Sequence, residues 1–529
     1  MKDWQSILQY KNLVAFLDET SQQHRTQNAY QCLGKNHSYA EIDQLSTNFA
    51  QWLQHTSGLK AGDRIVIQLP NLTQYPIVAY AALKAGLIIV NTNPLYTPRE
   101  MLHQFNDSGA KALIILEDLL PKYEAIKDQV GIEQVIVTQA TDLLSAHPSQ
   151  QHRSQQHQYF NLIHLLEQGQ SLPKITPSQA QPDDIAVLQY TGGTTGVAKG
   201  ASLTHSNILA NAAQMAHRIQ QLPNLEGGNF VCPLPLYHIY AFTVNMISLF
   251  GLGVANTLIP NPRDLDSFID TLKSSPFVGL AGINTLFVGL CHHPEFKQVD
   301  FSRLKVTFSG GSALNQSTFE LWKKVTGCTI TEGWGLSETS PVVSLNEFNH
   351  QQAGCVGTPL LNTDIQVWGI DNQALPQGEI GELVVKGPQV MKGYWNRPED
   401  TAKSIINGYF LTGDIGLQLP NGVFKIVDRM KDMIIVSGFN VYPNEVEEVL
   451  CSHDEVIDAA VVGSPDERTG EAVIAHVVLQ QHSELTQEDI ANYCRENLTA
   501  YKVPRQIHFH ESLPKSTVGK ILRRELRTA

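Results

Sequence analysis

Paired cysteines are missing from this chain of 529 residues. Its seven cysteines, Cys32, Cys232, Cys291, Cys328, Cys355, Cys451 and Cys494, are odd in number, widely spaced and free of any Cys-x-x-Cys pair. That argues against a disulfide framework or a zinc site and predicts reduced thiols in the cytosol. The opening Met1-Lys2-Asp3-Trp4-Gln5-Ser6 lacks the basic start and apolar core of a secretory leader, so the expected location is cytoplasmic. Basic charge is scarce as well: 38 Lys and Arg against 51 Asp and Glu leave a formal charge of −13. This disfavours nucleic acid as a partner and offers no polybasic patch to anionic lipid, so any membrane contact is expected to be weak or hydrophobic. One run, Ile239 to Pro262, has no charge over a length that can cross a bilayer. It carries Asn245, Ser248 and Asn256, and Gly251 and Gly253 split it into a helix-like half and a strand-like half, Val254 to Ile259, which reads as buried soluble core.

Apolar content of 42% describes a globular chain, and its length exceeds what one core usually serves, so two or more domains are expected. Strand-like runs such as Arg64 to Leu69 and Ala112 to Leu116 alternate with helix-like stretches such as Pro76 to Ala85, which argues for α/β layers with parallel strands. Ser149 to Gln158, rich in Gln and His, reads as a solvated loop. After Asp414 the texture changes to a strand, Val423 to Val427, and then to a smaller α+β module. Its helix is expected at Glu445 to Cys451 and its strands at Asp458 to Val462 and Ala472 to Leu479.

The run Tyr190-Thr191-Gly192-Gly193-Thr194-Thr195-Gly196-Val197-Ala198-Lys199-Gly200 follows a short buried strand and suits a phosphate. Its glycines let backbone N–H groups turn inward, its threonines add hydroxyl donors, and Lys199 adds a mobile charge, so a nucleoside triphosphate site is expected. It is not the common P-loop, because Gly200 and Ala201 follow Lys199, and no Gly-x-Gly-x-x-Gly follows the strand. A flexible turn explains the glycines but not the threonines and the lysine.

Four further segments follow in order: Glu332 to Thr339 (Glu-Gly-Trp-Gly-Leu-Ser-Glu-Thr), Thr412-Gly413-Asp414, Asp428-Arg429-Met430-Lys431-Asp432 running on through Gly438 to Glu447, and Pro514 to Lys520. Together with the threonine-rich loop they resemble the acyl-adenylate-forming enzymes over nearly the whole chain. The wording of Leu234 to Phe242, of Asn261-Pro262-Arg263-Asp264 and of Leu513 to Arg524 is similar to bacterial long-chain fatty-acid CoA ligases. The resemblance implies an α/β fold with a large N-terminal domain (1–430) of layered sheets and helices, a β-barrel-like subdomain within it, and a small mobile α+β C-terminal domain (431–529) turning about Lys431. It implies ATP, Mg²⁺ and coenzyme A acting on a long-chain fatty acid. A homodimer and peripheral contact with the inner membrane are carried as further expectations.

The same resemblance implies roles. Thr191, Gly192, Gly193, Thr194, Thr195, Lys199 and Ser337 hold phosphates, and Glu338 with Thr194 holds Mg²⁺. Gly310 and Gly311 approach the adenine, Trp334 and Gly335 border it, and Asp414 and Arg429 bind the ribose. Lys520 stabilises the adenylation transition state, His238 lies near the acyl carboxylate, and Gly438 makes room for the pantetheine arm of CoA in the second step. Taken singly, several have plainer readings: a core tryptophan for Trp334, a satisfied core histidine for His238, a helix start for Ser337 and Glu338, a turn aspartate for Asp414, a solvated basic tail for Lys515 to Arg527. Two departures from the pattern, Tyr409-Phe410-Leu411 where relatives often have Trp-Leu-His and Met430 where many have lysine, bear on chain length and domain closure. Alternatives are an acyl-AMP ligase that loads a carrier protein, a medium-chain or aryl-acid CoA ligase, a luciferase-like oxygenating enzyme, and a non-catalytic nucleotide or lipid binder.

Overall fold

Two largely parallel sheets carry most of the buried apolar runs. The computed structural model describes residues 4–144, 159–191, 197–222, 225–516 and 519–527. Among these residues the strands form four sheets, of eight, nine, five and five strands. In the first, Arg64–Gln68 pairs in parallel with Ile88–Asn91 and Ala112–Leu116, and Ile88–Asn91 with Ile185–Thr191. Layers on both faces of such a sheet demand unbroken apolar sequence, and Ile65, Val66, Ile67, Leu113, Ile114 and Ile115 are all fully buried. The helix Gln74–Lys84 is buried at every position, as a helix between two layers should be.

The strand Ile185–Thr191 lies antiparallel to Lys199–Thr204, so the threonine-rich loop joins two neighbouring strands at their end. Thr204 then starts the helix His205–Ile219: its Oγ1 accepts from Asn207 N at 3.1 Å while Asn207 Oδ1 accepts from Thr204 N at 3.0 Å, a reciprocal cap. In the second sheet Asn229–Cys232, Gly279–Gly282, Val306–Ser309 and Ile330–Gly335 run parallel, and Val342–Leu345 closes antiparallel on the last.

The uncharged run behaves as core. It forms a short helix, Ile239–Ala241, a π-helical stretch, Phe242–Leu249, buried throughout, and a strand, Ala255–Leu258. No helix among the described residues is long and apolar enough to cross a membrane. Within the uncharged run Asn245 Nδ2 donates to Asn256 Oδ1 at 2.9 Å and Ser248 Oγ to Thr243 O at 3.0 Å.

The barrel-like subdomain is built on a five-stranded antiparallel sheet of Asp364–Trp368, Gly381–Lys386, Ile405–Ile406, Tyr409–Gln418 and Phe424–Arg429. The C-terminal sheet holds Ile434–Val436, Phe439–Val441, Val456–Asp466, Gly470–Leu479 and Gln506–Phe509, covered by the helices Pro443–Cys451 and Gln487–Asn497. One buried apolar cluster draws all its fully buried members from residues 434 to 507. All seven cysteines are buried and unpaired. The polar stretch 149–158 lies outside the described residues.

Candidate active site

The parallel strands Val306–Ser309 and Ile330–Gly335 end at a cleft of about 2270 Å³, the place where open α/β sheets bind ligands. Thr191, His238, Gly310, Gly311, Trp334, Gly335, Ser337, Glu338, Asp414, Arg429, Lys431 and Lys520 line it. Residues from seven separate stretches of sequence therefore converge on one space.

Gly335 permits a close backbone approach. A Cβ there would lie 2.0 Å from Pro341 O, so the chain turns from strand into the Ser337–Thr339 helical turn only with glycine at this point. That turn presents Glu338, whose Oε1 accepts from the Tyr394 hydroxyl at 2.8 Å. Burial pushes the Glu338 carboxyl above its ordinary range, and the Tyr394 bond opposes the shift. Tyr394 itself is fixed by antiparallel pairing of Gly393–Tyr394 with Ser202 and Ala201, which ties the acidic residue to the strand leaving the threonine-rich loop.

Asp414 is 3% exposed. Arg429 Nε forms an ion pair with its Oδ1 at 2.6 Å, and Trp334 Nε1 donates to its Oδ2 at 2.8 Å. Burial raises the Asp414 carboxyl, and the Arg429 charge is the largest influence against it. Trp334 is therefore both a largely buried ring and a donor to the cleft's central carboxylate.

Gly311 has φ +87°, and its Cβ position lies 3.9 Å from Lys520 Cε, which puts the lysine against the loop after Ser309. Lys520 is open to the water of the cleft, yet the enclosing walls and then the nearby Arg429 charge lower its pKa to about 8, against the pull of Asp414 and Glu338. A local turn carries it: Lys520 N donates to Ser516 Oγ at 3.1 Å and Ser516 N to Lys520 O at 2.8 Å. At His238, burial and then Lys520 bring the imidazole to about 4, so it is neutral near pH 7. Its Nδ1 accepts from Tyr240 N at 3.3 Å, which leaves the proton on Nε2.

Two expected residues stand elsewhere. Lys199 pairs with Asp400 at 3.1 Å and sits 5.2 Å over the Tyr394 ring, not among the cleft-lining residues. Gly438, φ +84° with nothing within 4 Å of its Cβ position, also lies outside the lining. Gly192, Gly193, Thr194 and Thr195 fall outside the described residues. Lys431 lines the cleft, and burial followed by the Arg429 charge lowers its pKa. Of the two departures, Met430 is 44% exposed, and Phe410 packs in the main core while reaching the cleft.

Sequence reasoning missed Tyr394, whose contact with Glu338 spans 56 positions with no spacing to betray it. It also assigned nothing to Glu332, a buried cleft carboxyl that accepts from Gly354 N at 2.9 Å and is pushed up to about 8 by burial. Also lining the cleft, Asp428 accepts from Asn444 N at 2.8 Å, and Arg523 donates to Glu447 at 2.8 Å and to Asn444 Oδ1 at 2.9 Å. These contacts join the C-terminal sheet's helix and tail to the strand that ends at Arg429.

The chain matches the family described as AMP-binding enzyme over residues 17–395 and the AMP-binding enzyme C-terminal domain over residues 445–520. It is 43% identical to a long-chain-fatty-acid–CoA ligase of Escherichia coli, over 98% of this chain and 94% of that one. It is 40% identical to a long-chain-fatty-acid–CoA ligase of Haemophilus influenzae, with the same coverage of both chains. Among solved structures, ATP-bound MatB from Rhodopseudomonas palustris superposes with a TM-score of 0.86 at 26% identity, covering 98% of each chain. With the matched family model covering most of the chain and the cleft lined by residues from every segment that first suggested it, the chain belongs to the AMP-binding enzymes.

Proposed function

We propose that this enzyme activates long-chain fatty acids with ATP and transfers them to coenzyme A. The acid's carboxylate oxygen attacks the α-phosphorus of ATP and the bond to pyrophosphate breaks, giving acyl-AMP. The CoA thiol then attacks the acyl carbon, AMP leaves, and the thiol proton goes to solvent. The observation that carries this reading is the arrival of Lys520, from the far end of the chain, in the same cleft as Glu338, Asp414 and Arg429. A mere nucleotide binder has no need of that delivered cation.

In this reading Asp414 and Arg429 take the ribose, with Gly310, Gly311, Trp334 and Gly335 around the adenine. Thr191, Ser337 and the loop through Thr195 face the phosphates. Lys199 joins them by leaving one anion, Asp400, for another. Lys520 donates to the oxygens on which charge grows as the carboxylate attacks, a preorganised contact of the kind that dominates such catalysis. His238, neutral and protonated on Nε2, donates to the acyl carboxylate without neutralising it as a nucleophile.

The donor chemistry fits Mg²⁺: a divalent cation shared with phosphates needs only one or two protein carboxylates, and Glu338 is a buried carboxylate held in place by Tyr394. Glu338 with Thr194 would hold the ion, which supplies charge neutralisation at the phosphates when bound.

The boundary at Lys431 is part of the same proposal, supported by the separate apolar cluster of residues 434 to 507. Rotation there would withdraw Lys520 after pyrophosphate leaves and bring the Gly438 hairpin to the cleft for the thiol. A buried acyl chain gains about 0.8 kcal/mol per methylene, so turnover is expected to rise with chain length.

The test is pyrophosphate release from ATP and Mg²⁺ with a medium- to long-chain acid series, with and without CoA, while thioester is followed by mass spectrometry. CoA-dependent turnover peaking at long chains supports the proposal. Adenylate without thioester would make this a carrier-loading ligase, and no pyrophosphate with any acid would overturn the reading.

A further inference from the structure

We propose that Trp334 is a positioning residue for ribose recognition, its indole N–H fixing Asp414 so that the carboxylate takes both sugar hydroxyls at once. The inference rests on the reading of Asp414 as the ribose acceptor.

An ionised carboxylate offers about four lone-pair sites. On Asp414 the protein fills one of these by a hydrogen bond, from Trp334 Nε1 to Oδ2 at 2.8 Å, while Arg429 Nε pairs with Oδ1 as an ion pair at 2.6 Å. Each oxygen therefore keeps a site for a sugar hydroxyl. The two partners come from different elements. Arg429 lies on the strand Phe424–Arg429, directly opposite Asp414 in register, while Trp334 reaches over from the parallel sheet's Ile330–Gly335. They also differ in firmness, since the Arg429 side chain is 37% exposed whereas Trp334 is 6% exposed and packed among Val343, Val367 and Leu383. The indole is therefore the rigid half of the clamp.

Without that N–H, Oδ2 stays buried and one partner short, and only the looser Arg429 defines the carboxylate plane. A ring without a donor at this point can still border the base, but it does nothing for the sugar. Trp334 thus couples the part of the cleft that borders adenine to the part that reads ribose, and substrate preference among nucleotides should depend on its edge as much as on its face.

Two variants separate the edge from the bulk. Trp334→Phe removes the donor and some volume. The isosteric 3-benzothienylalanine at Trp334 replaces only the N–H with sulfur, which keeps the packing and guards against simple misfolding. Pyrophosphate release is measured with ATP, 2′-deoxyATP and 3′-deoxyATP under saturating acid. A hydrogen bond to a charged group supports an expected preference of about 10-fold or more for ATP in the unsubstituted enzyme. Both variants should lower kcat/KM for ATP by roughly 10-fold, with most of the loss in KM for ATP, and should collapse the ATP to deoxyATP ratio towards unity. KM for the fatty acid should not follow. If the variants keep the original ratio, or lose all three nucleotides in equal proportion, the role of Trp334 is refuted while Asp414 keeps its assignment. If the unsubstituted enzyme does not discriminate against either deoxynucleotide, the ribose assignment of Asp414 is refuted and this inference goes with it.

Discussion

Trp334, Glu338 and Asp414 grow out of sheet strands and their ends, at 6%, 9% and 3% exposure, and each is held by a partner from another element. Lys520, in the same cleft, is exposed and hangs from a turn closed by Ser516. Its segment is anchored by Leu513, Ile521 and Leu526 packed on the C-terminal sheet, and by Lys515 pairing with Asp458 at 2.6 Å. One region is built into the main core and the other is brought to it. In the proposed reaction, preorganised recognition and a deliverable cation are different physical demands, met by rigid strand ends in one case and a tethered tail in the other.

The sharpest way to break the contrast is Lys520→Ala. Loss of one preorganised donor costs ~2.7–4 kcal/mol, so pyrophosphate release should fall by roughly 100- to 1000-fold. ATP affinity by calorimetry should stay close to that of the unsubstituted enzyme, because the strand-borne residues are untouched. An equal loss of binding and rate would mean that the tail recognises nucleotide and that the division of labour is false.

Gly335→Ala attacks the other region. Its new Cβ would meet Pro341 O at 2.0 Å, a backbone atom that cannot swing aside. Overpacking of this kind costs about 1–3 kcal/mol, expected as a lower thermal midpoint together with weakened ATP binding. A stable variant with native affinity would show that the strand end is softer than its contacts suggest.

The two regions were also unequally legible. Arg64–Gln68, Ala112–Leu116 and Ile185–Thr191 announce themselves as mainly apolar runs because a largely parallel sheet hides both faces. The uncharged stretch after His238 was readable as core through Asn245, Asn256 and its two glycines, which the bonded asparagine pair bears out. Ordered motifs brought Trp334, Glu338, Asp414, Arg429 and Lys520 together before any coordinates. What stayed hidden were contacts across long separations: the Trp334 bond to Asp414, the Tyr394 bond to Glu338, and the Asp400 partner that draws Lys199 aside. Side-chain pairing between distant strands follows from packing, which has no period along the chain.

A pH profile sharpens the electrostatic side. With its pKa lowered to about 8, Lys520 is cationic below that pH and loses its charge as pH rises through it. The kcat/KM for pyrophosphate release should therefore hold near neutrality and then fall, approaching ~10-fold per unit at higher pH, as expected for an essential acid in the free enzyme. Lys520→Arg keeps its charge throughout and should remove this alkaline limb, whatever it does to the absolute rate. Persistence of the limb in that variant would assign it to another group.

The mildest test concerns Gly438, which has the room that Gly335 lacks but a φ of +84°. Gly438→Ala introduces no clash here, only left-handed strain of about 1–2 kcal/mol at a hairpin tip outside the cleft lining. Adenylation, which in the proposed reaction uses the arrangement seen here, should change by no more than ~2-fold, since neither Lys520 nor the strand-borne residues are held by the Gly438 turn. Thioester formation should fall further, by roughly 10-fold, if the hairpin is what replaces Lys520 in the second step and its backbone must lie close to the incoming thiol's arm. Single-turnover measurements separate the two, because pyrophosphate reports the first step and thioester the second. Equal slowing of both would tie Gly438 to folding of the C-terminal sheet, and no slowing of either would remove it from the second half-reaction, leaving Lys520 as the tail's sole contribution to chemistry.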